Sequence, residues 1–255
     1  MVSINLSNEV TPVAVVVPCA NPAVEPEVHA LLPPGFFPYV ARLPFYDQLE
    51  LQKRLAKYIT DLPDTLETLQ GIKPAGVLIA CTGSSYPLGI SGDSQWTTSA
   101  SDQMHAPVVS AAGSVAEVLK KLNRNKLVII SPYPKWLTDE LVEFWSSAGY
   151  LIIEVVELDK SGSIYDLSEA ELAKALNLVQ SKYELDPDTV ILIAGTGVPS
   201  LNVVDQAVTR SDLPIVTSQI AGIWNLLRII DAASQIPHSA SAGLRKLNAQ
   251  LSEES

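Results

Sequence analysis

A thiol at the head of a hydroxyl-rich turn is the strongest chemical signal in this chain. Cys81-Thr82-Gly83-Ser84-Ser85-Tyr86 follows the apolar run Val77–Ala80. Thr82, Ser84 and Ser85 can donate hydrogen bonds, and Gly83 lets backbone N–H groups approach a ligand closely. Such a turn can hold a carboxylate and stabilise it as an enediolate, by the logic of an oxyanion hole. A thiol in that setting can serve as nucleophile or as proton carrier. The plain alternative is an inert buried cysteine at a strand end, a common place for free cysteine. A second turn, Ala194-Gly195-Thr196-Gly197, offers Thr196 and backbone N–H groups but no thiol. It lacks the rest of a dinucleotide fingerprint and the Walker lysine, so it gives little support for nucleotide binding. His29, His105 and His238 are widely spaced, and no metal site is expected.

These turns need elements to hold them. Short apolar, β-branched runs read as buried parallel strands: Val13–Val17, Val77–Ala80, Leu127–Ile130, Leu151–Val156, Val190–Ala194 and Pro214–Thr217. Helical spacing falls between them, over Asp47–Ile59, Ser114–Leu122, Leu137–Ala148 and Ser168–Lys182. The last opens with Ser168 as cap and Glu171 three residues on. The alternation predicts an α/β fold with parallel sheet. The small polar run Ser91–Ser101 reads as a loop beside the site. The four tryptophans read as packing residues, and His105 as a surface or capping group.

The chain also repeats itself. Pro18 and Pro132 follow similar strands, Cys81 and Gly195 follow another similar pair, and both pairs lie 114 residues apart (132 − 18 and 195 − 81). A third pair of segments begins at Pro107 and Pro214. This order predicts two pseudo-symmetric lobes, each with a central parallel sheet flanked by helices, and a site in the cleft between them. Chain order assigns 1–113 plus 214–255 to the first lobe and 114–213 to the second. Cys81 and Gly195 then become mirror positions at strand carboxyl ends, where open α/β sheets place ligands. Cys19 mirrors Tyr133.

Composition narrows the class. The 255 residues are 47% hydrophobic and 18% charged, which fits neither a disordered chain nor a disulfide scaffold. The net charge of −11, with no basic cluster, argues against nucleic acid and anionic membrane as partners. No apolar run reaches transmembrane length, and no signal peptide is visible. Two cysteines suit a reduced, cytoplasmic setting.

Five segments in order resemble the maleate isomerase and arylmalonate decarboxylase branch of the aspartate/glutamate racemase superfamily. They are "PCANPAVEPEV", with Pro18, Asn21, Glu25 and Glu27; "CTGSSYPLG" at Cys81; "SPYPKWLTDEL" at Pro132 and Tyr133; "GTGVPSL" where a second cysteine loop belongs; and "PIVTSQIAGIWNLLR" with Ser218 and Trp224. The resemblance implies chemistry without metal or organic cofactor on a small dicarboxylate, and makes a homo-oligomer an expectation to check. It casts Cys81 as the catalytic thiol. Asn21 and Tyr133 would hydrogen-bond a substrate carboxylate. Thr82, Thr196 and the backbone around Gly83 and Gly197 would complete the anion pocket, with Ser84, Ser85 and Gly195 also at the site. Ser161-Gly162-Ser163 stands where the isomerases have a further asparagine.

Racemases of this superfamily use two thiols, and so do the isomerases. Arylmalonate decarboxylase keeps only the second, whereas this chain keeps only the first. One thiol suits decarboxylation of a substituted malonate, in which Cys81 protonates one face of an enediolate. A maleate-type cis–trans isomerase with Cys81 as nucleophile is the alternative, and a non-catalytic diacid binder a further one. Cys19 is a candidate for a direct role. A cysteine placed at Gly195 is expected to confer racemisation.

Overall fold

The computed structural model describes residues 10–158, 164–183, 186 and 188–253. Among these residues, eight strands fall into two parallel sheets of four. The first contains β1 (Thr11–Val17), β2 (Phe36–Arg42), β3 (Val77–Ile79) and β4 (Val108–Ser110), in the order β2-β1-β3-β4. The second contains β5 (Lys126–Ser131), β6 (Leu151–Glu157), β7 (Thr189–Ile193) and β8 (Ile215–Thr217), in the order β6-β5-β7-β8. The identical order is the structural form of the repeat. The central strands β1 and β5 align with β3 and β7 through Ala14↔Val77 and Val128↔Ile191. Both carry a fully buried apolar run, Val13–Val17 in β1 and Leu127–Ile130 in β5, as strands covered on two faces must.

The helices are α1 (Val24–Leu31), α2 (Leu51–Gln70), α3 (Thr82–Ser85), α4 (Gly89–Met104), α5 (Ala111–Lys121), α6 (Lys135–Ser147), α7 (Glu169–Tyr183), α8 (Leu201–Ala207), α9 (Ser218–Ile229) and α10 (Ala242–Glu253). Helices α5 and α9 occupy equivalent places in the two repeats, and their starts are built alike. Ser110 Oγ accepts from Gly113 N at 2.8 Å, and Thr217 Oγ1 accepts from Ile220 N at 3.1 Å. The two helices pack against each other, which puts the pseudo-two-fold axis between them. Ser168 forms the expected capping box: its Oγ and N–H both donate to Glu171 Oε2, at 2.7 and 2.8 Å.

Some expectations need correction. Ser91–Ser101 is not a loop but lies within α4. Its small polar residues satisfy themselves in the helix: Thr97 and Thr98 donate to the Asp93 and Ser94 carbonyls, and Ser101 to that of Thr97. His105 ends α4 in the left-handed region, at φ +50°. Helix α2 begins later than Asp47 and runs through Pro63 to Gln70. Strand β2 is absent from the apolar runs because it is a half-exposed edge strand containing Pro38, a residue tolerated at edges. Pro214–Thr217, grouped by chain order with the first lobe, contributes β8, which pairs with β7 in the second sheet. The following helix α9 does return to the first sheet, packing on α1, β3 and β4. Among the described residues, no helix is long and apolar enough to cross a membrane.

Candidate active site

The carboxyl ends of the two sheets face each other, and four strand-to-helix loops meet there. Asn21 leads from β1 into α1. Its Oδ1 accepts from Ala23 N and Val24 N at 2.9 and 3.1 Å, fixing the helix start. Its Nδ2 reaches across the cleft to Thr196 O and Thr196 Oγ1, both at 3.1 Å. Thr196 Oγ1 donates in turn to Ala80 O at 3.0 Å, and Gln219 Nε2 donates to Thr196 O at 2.9 Å. Thr82 Oγ1 and Tyr133 Oη form a second bridge at 2.6 Å. A third comes from Glu27, only 7% exposed on α1. Its carboxylate accepts from Ser200 N, from Ser200 Oγ at 3.2 Å and from Leu201 N at 2.8 Å, capping α8. Burial raises the Glu27 pKa, against the lowering effect of those donors.

Cys81 lies at the head of α3 and is 3% exposed. Its Sγ is 3.3 Å from Ser84 Oγ, which itself donates to Leu55 O at 3.0 Å. Burial pushes the Cys81 thiol pKa up. Hydrogen bonds from Ser84 and the charge of Arg54 act in the opposite direction. The resting group is therefore a neutral S–H. Tyr133 is held well above its ordinary pKa, mainly by burial, and remains an O–H donor. The ring of Tyr86 meets that of Tyr133 edge-on at 6.0 Å and packs on Phe144 at 5.3 Å, which buttresses the phenol.

Cys81, Thr82, Gly83, Asn21, Tyr133, Thr196 and Gly197 line one cavity, as the sequence suggests. Ser84, Ser85 and Gly195 are not on its wall. The Ser84 hydroxyl is engaged with Leu55 and Cys81, and Ser85 is fully buried behind the turn. Gly195 adopts φ +86°, and a Cβ there would lie 3.0 Å from both Pro132 Cγ and Tyr133 Oη. Cys19 is also off the wall, but its Sγ is 3.3 Å from Tyr58 Oη, and Tyr58 is on it. Ser161-Gly162-Ser163 lies outside the described residues. Among the described residues, no cluster of three metal-ligating side chains occurs.

The cavity holds about 30 Å³, room for roughly two waters. Lining side chains must move for a diacid to enter. Two groups of lining residues lack a motif. One is the α2 face of Leu51, Arg54, Leu55 and Tyr58; the other is Ile164 and Tyr165. The i, i+3, i+4, i+7 spacing of the first group was available in the sequence, with an arginine set in an apolar stripe.

Comparison with known proteins places this architecture. The family model described as arylmalonate decarboxylase matches residues 13–243. A maleate isomerase from Geobacillus stearothermophilus is 22% identical over 136 residues, 53% of this chain and 54% of that protein. The match thus spans about half the length of that curated relative. The crystal structure of maleate isomerase Iso from Pseudomonas putida S16 superposes with a TM-score of 0.78 at 19% identity, over 94% of this chain and 99% of that one. An arylmalonate decarboxylase double mutant, with a glycine changed to cysteine and a cysteine to serine, superposes with a TM-score of 0.70 at 20% identity. That match covers 86% of this chain and 92% of the other. With its paired parallel sheets and a family match across most of its length, the chain belongs to the arylmalonate decarboxylase family.

Proposed function

We propose that this protein decarboxylates a substituted malonate-type diacid, with Cys81 delivering one proton to one face of the resulting enediolate. The observation that carries this reading is the asymmetry of the cleft: a buried neutral thiol on one side, and on the other a glycine closed in by Pro132 and Tyr133. The C–CO2 bond breaks, its electron pair enters the enediolate and CO2 leaves. Cys81 S–H then protonates the carbon, and the thiolate recovers its proton from water. Thr82 and Tyr133, now bonded to each other, would turn their hydroxyls to the carboxylate that remains. Leu55 and Leu137, which crowd Gly83, give the departing carboxylate an apolar wall. Proton delivery from one face predicts a single enantiomer whenever the product carbon is stereogenic. The double mutant of arylmalonate decarboxylase, having gained one cysteine and lost another, is a parallel for a cleft with its thiol on this side.

Cis–trans isomerisation is the second reading. The relatives named maleate isomerase favour it, and so does Arg54, whose charge assists formation of a thiolate nucleophile at Cys81. Separate incubation with phenylmalonate, carboxymethylmalonate and maleate divides the readings. CO2 from either malonate supports the proposal. Fumarate without CO2 replaces it with isomerisation, and diacid binding without turnover replaces it with a binding protein.

A further inference from the structure

Among the described residues, Arg54 is the one lining residue with a permanent charge, and it is half-buried on the inner face of α2. Its backbone is fixed in the first turn by a bond from Arg54 N to Glu50 O at 3.0 Å. Among the described residues, its guanidinium makes no hydrogen bond or ion pair, although the chain carries 28 Asp and Glu against 17 Lys and Arg. Among the described residues, no Asp or Glu lines the cavity, so none of these neutralises the charge from its wall. Several other cations in the structure have partners: Arg42 pairs with Glu25, Lys182 with Glu154 and Arg228 with Glu117. A partly desolvated guanidinium with five donors and no counter-ion among the described residues is an incomplete site, and its planar fork matches a carboxylate.

The cavity therefore has two polar regions. One is the hydroxyl and amide group around Thr82, Tyr133, Asn21 and Thr196. The other is Arg54, flanked on its helix by Leu51, Leu55 and Tyr58. We infer that Arg54 determines specificity by holding a second anionic group of the substrate, so that the site takes a short chain with carboxylates at both ends rather than one ending in an aryl or alkyl group. Burial raises the pKa of Cys81, Tyr58 and Tyr165, and the charge of Arg54 opposes that rise at each, as expected of a cation beside the reacting region. The inference rests on this cavity being the substrate site, but not on which reaction occurs there. Carboxymethylmalonate would lose CO2 to give succinate, and maleate shares the same four-carbon diacid skeleton.

The test uses succinate and butyrate, which differ in one terminal carboxylate, titrated calorimetrically into the full chain. Succinate should bind at least roughly tenfold more tightly than butyrate. Arg54→Met should weaken succinate about 10- to 100-fold and leave butyrate unchanged, while Arg54→Lys retains part of the preference. Unaltered succinate binding by a folded Arg54→Met variant overturns the inference, as does a wild-type protein that binds both acids equally or neither. Activity of Cys81→Ser tests the proposed function independently. Loss of turnover in that variant, with no succinate preference in the wild type, removes the role of Arg54 and leaves the proposed function standing.

Discussion

Cys81→Ser should fold normally and lose catalysis by about 10²- to 10⁴-fold, the range typical of a positioned general acid. Serine keeps the size of the side chain and the contact with Ser84 Oγ, so thermal melting should change little. What it loses is acidity, because an alcohol is a far poorer proton donor to an enediolate than a thiol. The pH profile adds a second readout. Burial raises the Cys81 pKa, and the donor is the protonated form. Decarboxylase activity should therefore hold through neutral pH and fall only above the ordinary thiol range. A nucleophilic thiolate would give the opposite slope, with activity rising as the proton leaves. Full activity in Cys81→Ser would end the proposal, and a rising alkaline limb would turn it toward isomerisation.

Gly195→Cys should lose stability and activity without becoming a racemase. The mirror relation to Cys81 suggests that a thiol here would complete a two-base pair. The backbone argues otherwise. At φ +86°, a non-glycine residue is strained by about 1–3 kcal/mol. Its Cβ would also press on Pro132 Cγ and Tyr133 Oη at 3.0 Å. Displacing Tyr133 breaks its 2.6 Å bond to Thr82 and moves a carboxylate donor, a change worth about 10²- to 10³-fold in rate. For a chain of this size, melting should fall by roughly 3–10 °C. Racemisation of a chiral product acid at undiminished thermal stability would contradict this account.

The contrast between Cys81 and Gly195 shows what a sequence conveys. Their equal offset from Pro18 and Pro132 reveals two repeats, and the matching strand orders reproduce that relation. The sign of a backbone dihedral leaves no such trace: a glycine letter says that φ can be positive, not that it is. Edge strand β2 is hidden because its outward residues face solvent and Pro38 interrupts its pattern. Helix α4 is hidden because its hydroxyls bond their own backbone, a local choice that composition scores as loop. Asn21, Thr82, Tyr133 and Thr196 sit in recognisable turns and converge as expected. Arg54 lies in no motif; only the helical phase of α2 points it inward, and that phase matters once the helix has a partner to face.

The Glu27 bridge has a dynamic consequence. Amides in the first turn of a short surface helix normally trade their hydrogens with water quickly, since they lack an intrahelical acceptor. Those of Ser200 and Leu201 are held by a buried carboxylate from the opposite half of the molecule. They become free to exchange only when the halves part or α1 lifts away. Their deuterium uptake is thus a clock for the opening of the whole cleft, separate from the side-chain movements that admit a small molecule.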